Sequence, residues 1–495
     1  MDYFNRRDFI RATGAAASVA GATAYYAERS FNIVDHGAVA GGGTLCTQAI
    51  QRAIDGCAES GGGRVLVPAG TYLTGGLVLK DRVDLHLSEG AILLGSPWFR
   101  DYPPRTVRSR VRYEDYLLTS LIFAQGAHHV SVSGKGTLNG NSKSKNDFLE
   151  NGRMGQHRPC LIWLDECTNI LVKNVTFTSS GFWTETYTKC RNVHVNGITV
   201  RDSTFRNNDG CNIIDCENAI VENCDINALD DGICLKGYTS EGCKNVVIRN
   251  NKVRSLCNGI KAGTDSSGGF QNILIENNVV WQTGISGIAL ELVDGGVMQN
   301  VVVRNTTMDI VETPIFIKLG DRNRPIHGDS GPVKPGALRD VHISGIRAKV
   351  NDAAKYNDEE RAIHNFTPYA SSITGTPGHY VERVYISDVE IEILGGFPIG
   401  TEADARRTVE ENSTKYPENR MFGVLPAHAF YIRHARDIHM SDIRVTMRQQ
   451  DARSAFVLDD VQESTFRNVR TESVSPTPPF RIEKNCTGVK VMTTP

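Results

Sequence analysis

The sequence predicts an all-β chain, wound as a solenoid of stacked parallel coils and covered at its N-terminal end by one amphipathic helix. Three observations predict it. A strand-like motif recurs at a fixed step, helical periodicity is nearly absent elsewhere, and a second register of small turn residues runs through the same coils.

The motif is an Asn followed by alternating apolar residues. It reads "NILVKNVTF" from Asn169, "NVHVNGITV" from Asn192, "NAIVENCDI" from Asn218, "NVVIRNNKV" from Asn245, "NILIENNVV" from Asn272 and "NVVVRNTTM" from Asn300, in steps of 23, 26, 27, 27 and 28 residues. Later copies start at Asp340, Arg383 and Asp437 with longer insertions between them. Period-two alternation makes each copy strand-like. A step under about thirty residues means stacked coils, whose parallel strands pair with the next turn and bury one continuous apolar column. A β-sandwich would not repeat so evenly. Asn recurring at one coil position predicts a side-chain ladder at a turn.

The helix is "TLCTQAIQRAIDGCAES". Leu45, Ala49, Ile50, Ala53, Ile54 and Cys57 fall on one face, and Thr44 is the expected N-cap. Such a helix would cover the unpaired edge of the first coil. Length alone, 495 residues, would favour two or three domains, but a solenoid lengthens without thickening. A single solenoid is therefore expected over residues 30–495. Long insertions, at about 321–337, 351–380 and 396–424, are rich in Pro, Gly, His and aromatics and are expected to wall a groove.

Composition excludes more than it identifies. A formal net charge of −2, with 22% charged residues and no long basic run, gives no footprint for nucleic acid or an anionic membrane. Residues 1–24 pair Arg6 and Arg7 with Phe9 and Ile10, then run through an Ala-rich stretch to Ala22-Thr23-Ala24. This resembles a bacterial twin-arginine export signal, so a periplasmic or secreted protein is expected, with no membrane insertion of the mature chain. Of twelve cysteines, Cys167, Cys190, Cys216 and Cys243 each sit two residues before a motif position. They read as small core residues, kept reduced by folding before export.

The second register carries the chemistry. Asp209-Gly210-Cys211, Asp231-Gly232-Ile233, Asn258-Gly259-Ile260, Ser286-Gly287-Ile288 and Thr313-Pro314-Ile315 follow in steps of 22, 27, 28 and 27. In stacked coils about 4.8 Å apart, Asp209 and Asp231 become neighbours, with Asp230 beside them. Crowded carboxylates shift one another, so one is expected to hold its proton near neutrality, as acid/base chemistry needs. Glycosidic hydrolysis uses two carboxyl groups, about 5–5.5 Å apart for retention and 6.5–9.5 Å for inversion. Both Asp230 and Asp231 can face the same groove only if the chain bends there, and Gly232 permits that.

These residues carry a resemblance. The chain resembles the pectin-degrading polygalacturonases of glycoside hydrolase family 28, from "FNIVDHGAVAGGGTLCTQAIQRAIDGCAESGGGRVLVPAGTYLTGGLVLK" through "SGFWTETYTKCRNV" to the last coils. The family's Asn-Thr-Asp motif stands here as Asn207-Asn208-Asp209 and its paired acids as Asp230-Asp231, with the family's separation of 21 residues between Asp209 and Asp230. The resemblance implies a right-handed, single-stranded parallel β-helix of the pectin-lyase-like kind. It also implies an inverting hydrolase, with Asp230 as general acid and Asp209 and Asp231 activating water. The partner is a polysaccharide or oligosaccharide of galacturonan or rhamnogalacturonan type. No metal or organic cofactor is implied, and a monomer is expected.

The sequence also departs from the family. Its Gly-His-Gly motif is Cys257-Asn258-Gly259, and its Arg-Ile-Lys motif falls on Ala289-Leu290-Glu291. Both cations that meet a galacturonate carboxylate are missing, and Glu291 adds an acid. By coil register Lys261 shares a column with Ala289, and Lys236 and Lys318 share one with Glu291. Asn208, Lys236, Asn258, Lys261, Glu291 and Lys318 are therefore the candidate substrate contacts. A polysaccharide lyase and a non-catalytic glycan-binding β-helix are the alternatives.

Overall fold

The computed structural model describes residues 29–105, 119–142, 158–201, 207–326, 329, 333–351, 370–396, 400–475 and 477–492. The expected export signal lies outside them. The chain forms two compact units, Met1–Asn251 and Lys252–Pro495.

The first unit is a parallel β-solenoid. A typical coil runs Glu185–Thr188, Arg191–Asn196 and Thr199–Arg201, and the next runs Cys211–Ile214, Glu217–Glu222 and Asp225–Ala228. Each strand pairs with its counterpart one coil on, so Val172, Val195, Val221 and Ile248 stack in one fully buried column. Apolar alternation in the sequence thus becomes apolar continuity along the stack.

The Asn ladder has a backbone cause. Asn169, Asn192, Asn218 and Asn245 all have φ of +56 to +57°, in the left-handed region that Asn tolerates better than other side chains. Each amide then donates to the one before it: Asn192 to Asn169 (2.8 Å), Asn218 to Asn192 (3.2 Å) and Asn245 to Asn218 (3.0 Å). Twelve cysteines are free and eleven of them are buried, Cys167, Cys190, Cys216 and Cys243 among the core.

The helix spans Thr47–Glu59 and packs on the strands Ser30–Asn32, Gly63–Val67, Leu77–Val78 and Val83–Leu87. Ala49, Ile50, Ala53, Ile54 and Cys57 are buried as expected. Its start differs from the sequence reading. Cys46 takes the N-cap position without a side-chain cap, its thiol turning to the carbonyls of Val39 and Thr44. Leu45 makes a parallel bridge to Leu73 instead of joining the helical face, and stays exposed.

The second unit is also parallel, with longer strands such as Val279–Leu292, Val297–Leu319, Val381–Ile393 and Ala427–Met447. The ladder recurs as Asn300 donating to Asn272 (3.1 Å). At the motif positions of the later copies, Asp340, Arg383 and Asp437 keep the same left-handed backbone, with φ of +58, +52 and +58°. Phe430, Phe456 and Phe480 stack at 5.3 and 4.7 Å inside the last coils. The insertion expected at 396–424 is ordered over its described part. It carries a short helix, Glu402–Ala405, begun by a capping box from Thr401, and a 3-10 turn, Asn419–Phe422. Asn419 donates to Ile285 O (2.8 Å) and Thr313 Oγ1 (2.7 Å), and Arg420 donates to Gly284 O. These bonds fasten the insertion over an apolar outer face that includes Ala289, Phe316 and Tyr431.

Candidate active site

In the first unit the chain leaves its strand after Ala228, turns through residues 229–232 and re-enters at Ile233. Gly210 makes the turn's close stacking possible. A Cβ there would lie 2.5 Å from Ile226 Cγ2 and 2.6 Å from Gly232 O, so no other residue fits between these coils. Gly259 and Gly287 are tight in the same way within the second unit. Within each unit the second register is thus a stack of close turns, and the residue before each glycine is held at a fixed place.

Coil pairing brings the acids together. Cys211 stacks on Ile233, and Gly210 N donates to Asp231 O (2.9 Å), which sets Asp209 beside Asp231. A carboxylate oxygen of each, with Cys234 Sγ, lies within 4.8 Å of the others. Asp209 and Asp231 are recessed, at 3% and 4% exposure, while Asp230 is half-buried. Asp230 accepts from Asp231 N (2.9 Å) and Asn207 N (3.2 Å). These local bonds turn the Asp230 side chain back over the bend.

Lys236 forms the other side of the site. Its Nζ donates to Asp209 Oδ2 (2.6 Å) and to Asn212 Oδ1, and lies 4.4 Å from the centre of the Trp183 ring. Burial would lower this amine, but the Asp209 carboxylate, with Cys234 and Asp231 nearby, outweighs burial and holds it well above its usual range. The ammonium is therefore fully charged and committed to Asp209. Asp209, Asp231 and Cys234 are of a type that can hold a cation, and Lys236 already places one positive charge against Asp209.

The expected site residues separate into those that meet and those that do not. Asp209, Asp230, Asp231 and Lys236 share one wall. Asn208 does not join them. It is fully buried, and its amide donates to Ser180 O (3.0 Å) and Phe182 O (2.7 Å), so it holds the preceding turn and is not placed for a substrate contact. Lys236, expected as a substrate cation, meets Asp209 in this structure.

The sequence reading missed Trp183, Phe182, Asn212 and Arg158. Arg158 lies 5.0 Å from the Phe182 ring and donates to Asn207 Oδ1 (3.2 Å). Coil register was the available signal for Asn212, which stacks between Thr186 and Cys234. Nothing in the local sequence marks Arg158.

Residues 57–377 match the family model described as glycosyl hydrolases family 28. The chain belongs to this family. It is 32% identical over 216 residues to a Vitis vinifera protein named "Probable polygalacturonase", covering 42% of this chain and 44% of that one. It is 34% identical over 213 residues to an exo-poly-alpha-D-galacturonosidase of Dickeya chrysanthemi, covering 39% and 35%. The chain thus spans less than half the length of these curated relatives. Among solved structures, the family 28 exopolygalacturonase of Yersinia enterocolitica superposes with a TM-score of 0.65 at 22% identity, over 94% of this chain and 79% of that one. The architecture is the right-handed parallel β-helix of the pectin-lyase-like kind.

In this family 28 chain the remaining candidates lie in the second unit, and all are buried. Lys261 stacks on Ala289, and Glu291 on Lys318, as register predicts. Lys261 Nζ lies 3.8 Å from Glu291 Oε2, so the added acid faces an internal cation. Asn258 is 1% exposed. Lys318 Nζ donates to Gly375 O (3.0 Å) and sits 5.5 Å from the Phe422 ring. Burial depresses its pKa to about 8, against the opposing pull of Glu411 and Asp321.

Proposed function

We propose that this chain is an exported glycoside hydrolase that cleaves pectin-type glycans, galacturonan or rhamnogalacturonan, with inversion at the anomeric carbon. One observation carries the reading: Asp209 and Asp231 sit on neighbouring coils with carboxylate oxygens within 4.8 Å, and Asp230 adjoins them. On this reading Asp209 and Asp231 hold the attacking water between them and take its proton. Lys236 keeps negative charge on Asp209 and fixes its direction. Asp230, the more exposed acid, protonates the leaving oxygen.

Family membership and the polygalacturonase names of two relatives support the substrate class. The Lys236 ammonium on Asp209 supports hydrolysis over a calcium-assisted lyase, because a resident cation already faces that carboxylate. Export rests on the Arg6-Arg7 segment.

The test is a panel of oligogalacturonates and rhamnogalacturonan oligosaccharides, read for new reducing ends and for ultraviolet-absorbing unsaturated ends. Saturated products are expected, and Asp230→Asn is expected to slow their release about 10²–10⁴-fold. Unsaturated products, or an Asp230→Asn chain with unchanged turnover, would refute the assignment.

A further inference from the structure

The second unit contains none of the three aspartates, yet it holds a cavity of about 620 Å³, within the range of small-ligand sites. Tyr431 and Val457 lie buried beneath it, in one column of the coils with Arg481. The segment after the short helix contributes Arg406 and Arg407 to one part of the rim, and the final coil contributes Arg481 and Lys484 to another.

Two acids also line the cavity, and both are engaged. Asp459 accepts from Asn485 Nδ2 (2.9 Å) and the Tyr431 hydroxyl (3.3 Å), and forms an ion pair with Arg433, whose Nε lies 3.1 Å away. Glu483 pairs with Arg481 Nε (2.9 Å). The cations are less committed. Among the described residues, exposed Lys484 pairs with no carboxylate and Arg407 donates to Val424 O alone (3.0 Å). Arg406 pairs with Glu402, but both are 79% exposed and such a pair holds little energy. The field in the cavity is therefore positive.

We infer that this cavity is a second, non-catalytic binding site for an acidic oligosaccharide. Cations from two separate segments suit a ligand with carboxylates on successive units better than a single small oxyanion. Guanidinium groups favour carboxylates through paired, charge-assisted hydrogen bonds. The sugar's identity rests on the proposed hydrolase reading; the anion site does not.

The test uses the full chain carrying Asp230→Asn to block turnover, titrated with trigalacturonate by calorimetry at low salt. Two binding events are expected. Adding Arg407→Ala and Lys484→Ala should weaken one of them about tenfold or more, whereas Lys484→Arg should preserve it. Arg407→Ala with Lys484→Ala in the otherwise native chain should leave digalacturonate turnover and the melting temperature unchanged. If the hydrolase reading alone is wrong, a single binding event remains and these two substitutions abolish it. An isotherm that they do not alter overturns the inference. So does a neutral galacto-oligosaccharide binding as tightly, or inorganic phosphate displacing trigalacturonate at equal concentration.

Discussion

Lys236 and Gly210 show how single residues govern the site. Lys236 is buried against Asp209, Asn212 and Trp183, so its removal leaves a recessed carboxylate without its counter-charge. Lys236→Met is expected to lower kcat by about 10²-fold or more with a smaller change in KM, because the loss falls on water activation and not on sugar binding. The pH–rate profile should shift with it; an unchanged profile would make Lys236 merely structural. Gly210→Ala forces a Cβ against Ile226 and Gly232 O, and is expected to destabilise the fold by about 1–3 kcal/mol in denaturant unfolding. Sequence reading reached both residues. It placed Lys236 near the acids as a substrate cation but did not reveal its ion pair with Asp209, because register gives proximity without giving the partner. For Asn208 the same limit applied: an Asn next to a candidate catalytic Asp looks functional until its amide is seen on two backbone carbonyls.

The coil is the natural unit at the scale of elements. The Asn position was legible because one physical demand, a left-handed backbone at the corner, recurs from coil to coil and selects Asn at 169, 192, 218, 245, 272 and 300. Asn218→Ala removes ladder bonds to Asn192 and Asn245 and puts Ala in the left-handed region. A loss of about 2–3 kcal/mol is expected, whereas Asn218→Gly, which relieves the backbone but not the bonds, should lose roughly 1 kcal/mol. Comparing denaturation midpoints of the two variants separates backbone from ladder. The helix start was misread because Thr44 is a good cap in isolation, and only the bridge from Leu45 to Leu73 keeps that stretch extended. The insertions were legible as insertions, from lost periodicity. Their anchoring was not, because Asn419 reaches Ile285 across 134 residues of sequence.

At the scale of the whole molecule, two buried ionisable groups tie stability to pH in opposite directions. Glu185 is enclosed in the first unit's core beside the Tyr187 hydroxyl, and burial raises it to about 8. A carboxyl raised above its unfolded value favours the fold below the unfolded pKa, and that contribution is lost as pH climbs through about 8. Glu185→Gln, which mimics the neutral acid, should therefore flatten the loss of stability between about pH 5 and 8. Lys318 in the second unit is depressed to about 8, so the unfolded chain binds the extra proton above that pH. Stability should rise between about pH 8 and 10 on its account, and Lys318→Met should stabilise neutral solutions and remove that rise. Melting temperatures across pH 5–10 for both variants check the two signs together. The burial of neither group was legible in the sequence, although register had singled out Lys318, since burial of a single polar residue in a strand leaves no periodic trace.

The central claim is that Asp209, Asp230 and Asp231 perform a single-displacement hydrolysis. Proton NMR of the first sugar released from an oligogalacturonate, followed before mutarotation, tests it most directly. Inversion predicts that the new reducing end appears first as the β-anomer, from an α-linked substrate, and that this signal is absent with Asp230→Asn. The α-anomer appearing first would require a covalent intermediate and would contradict the account.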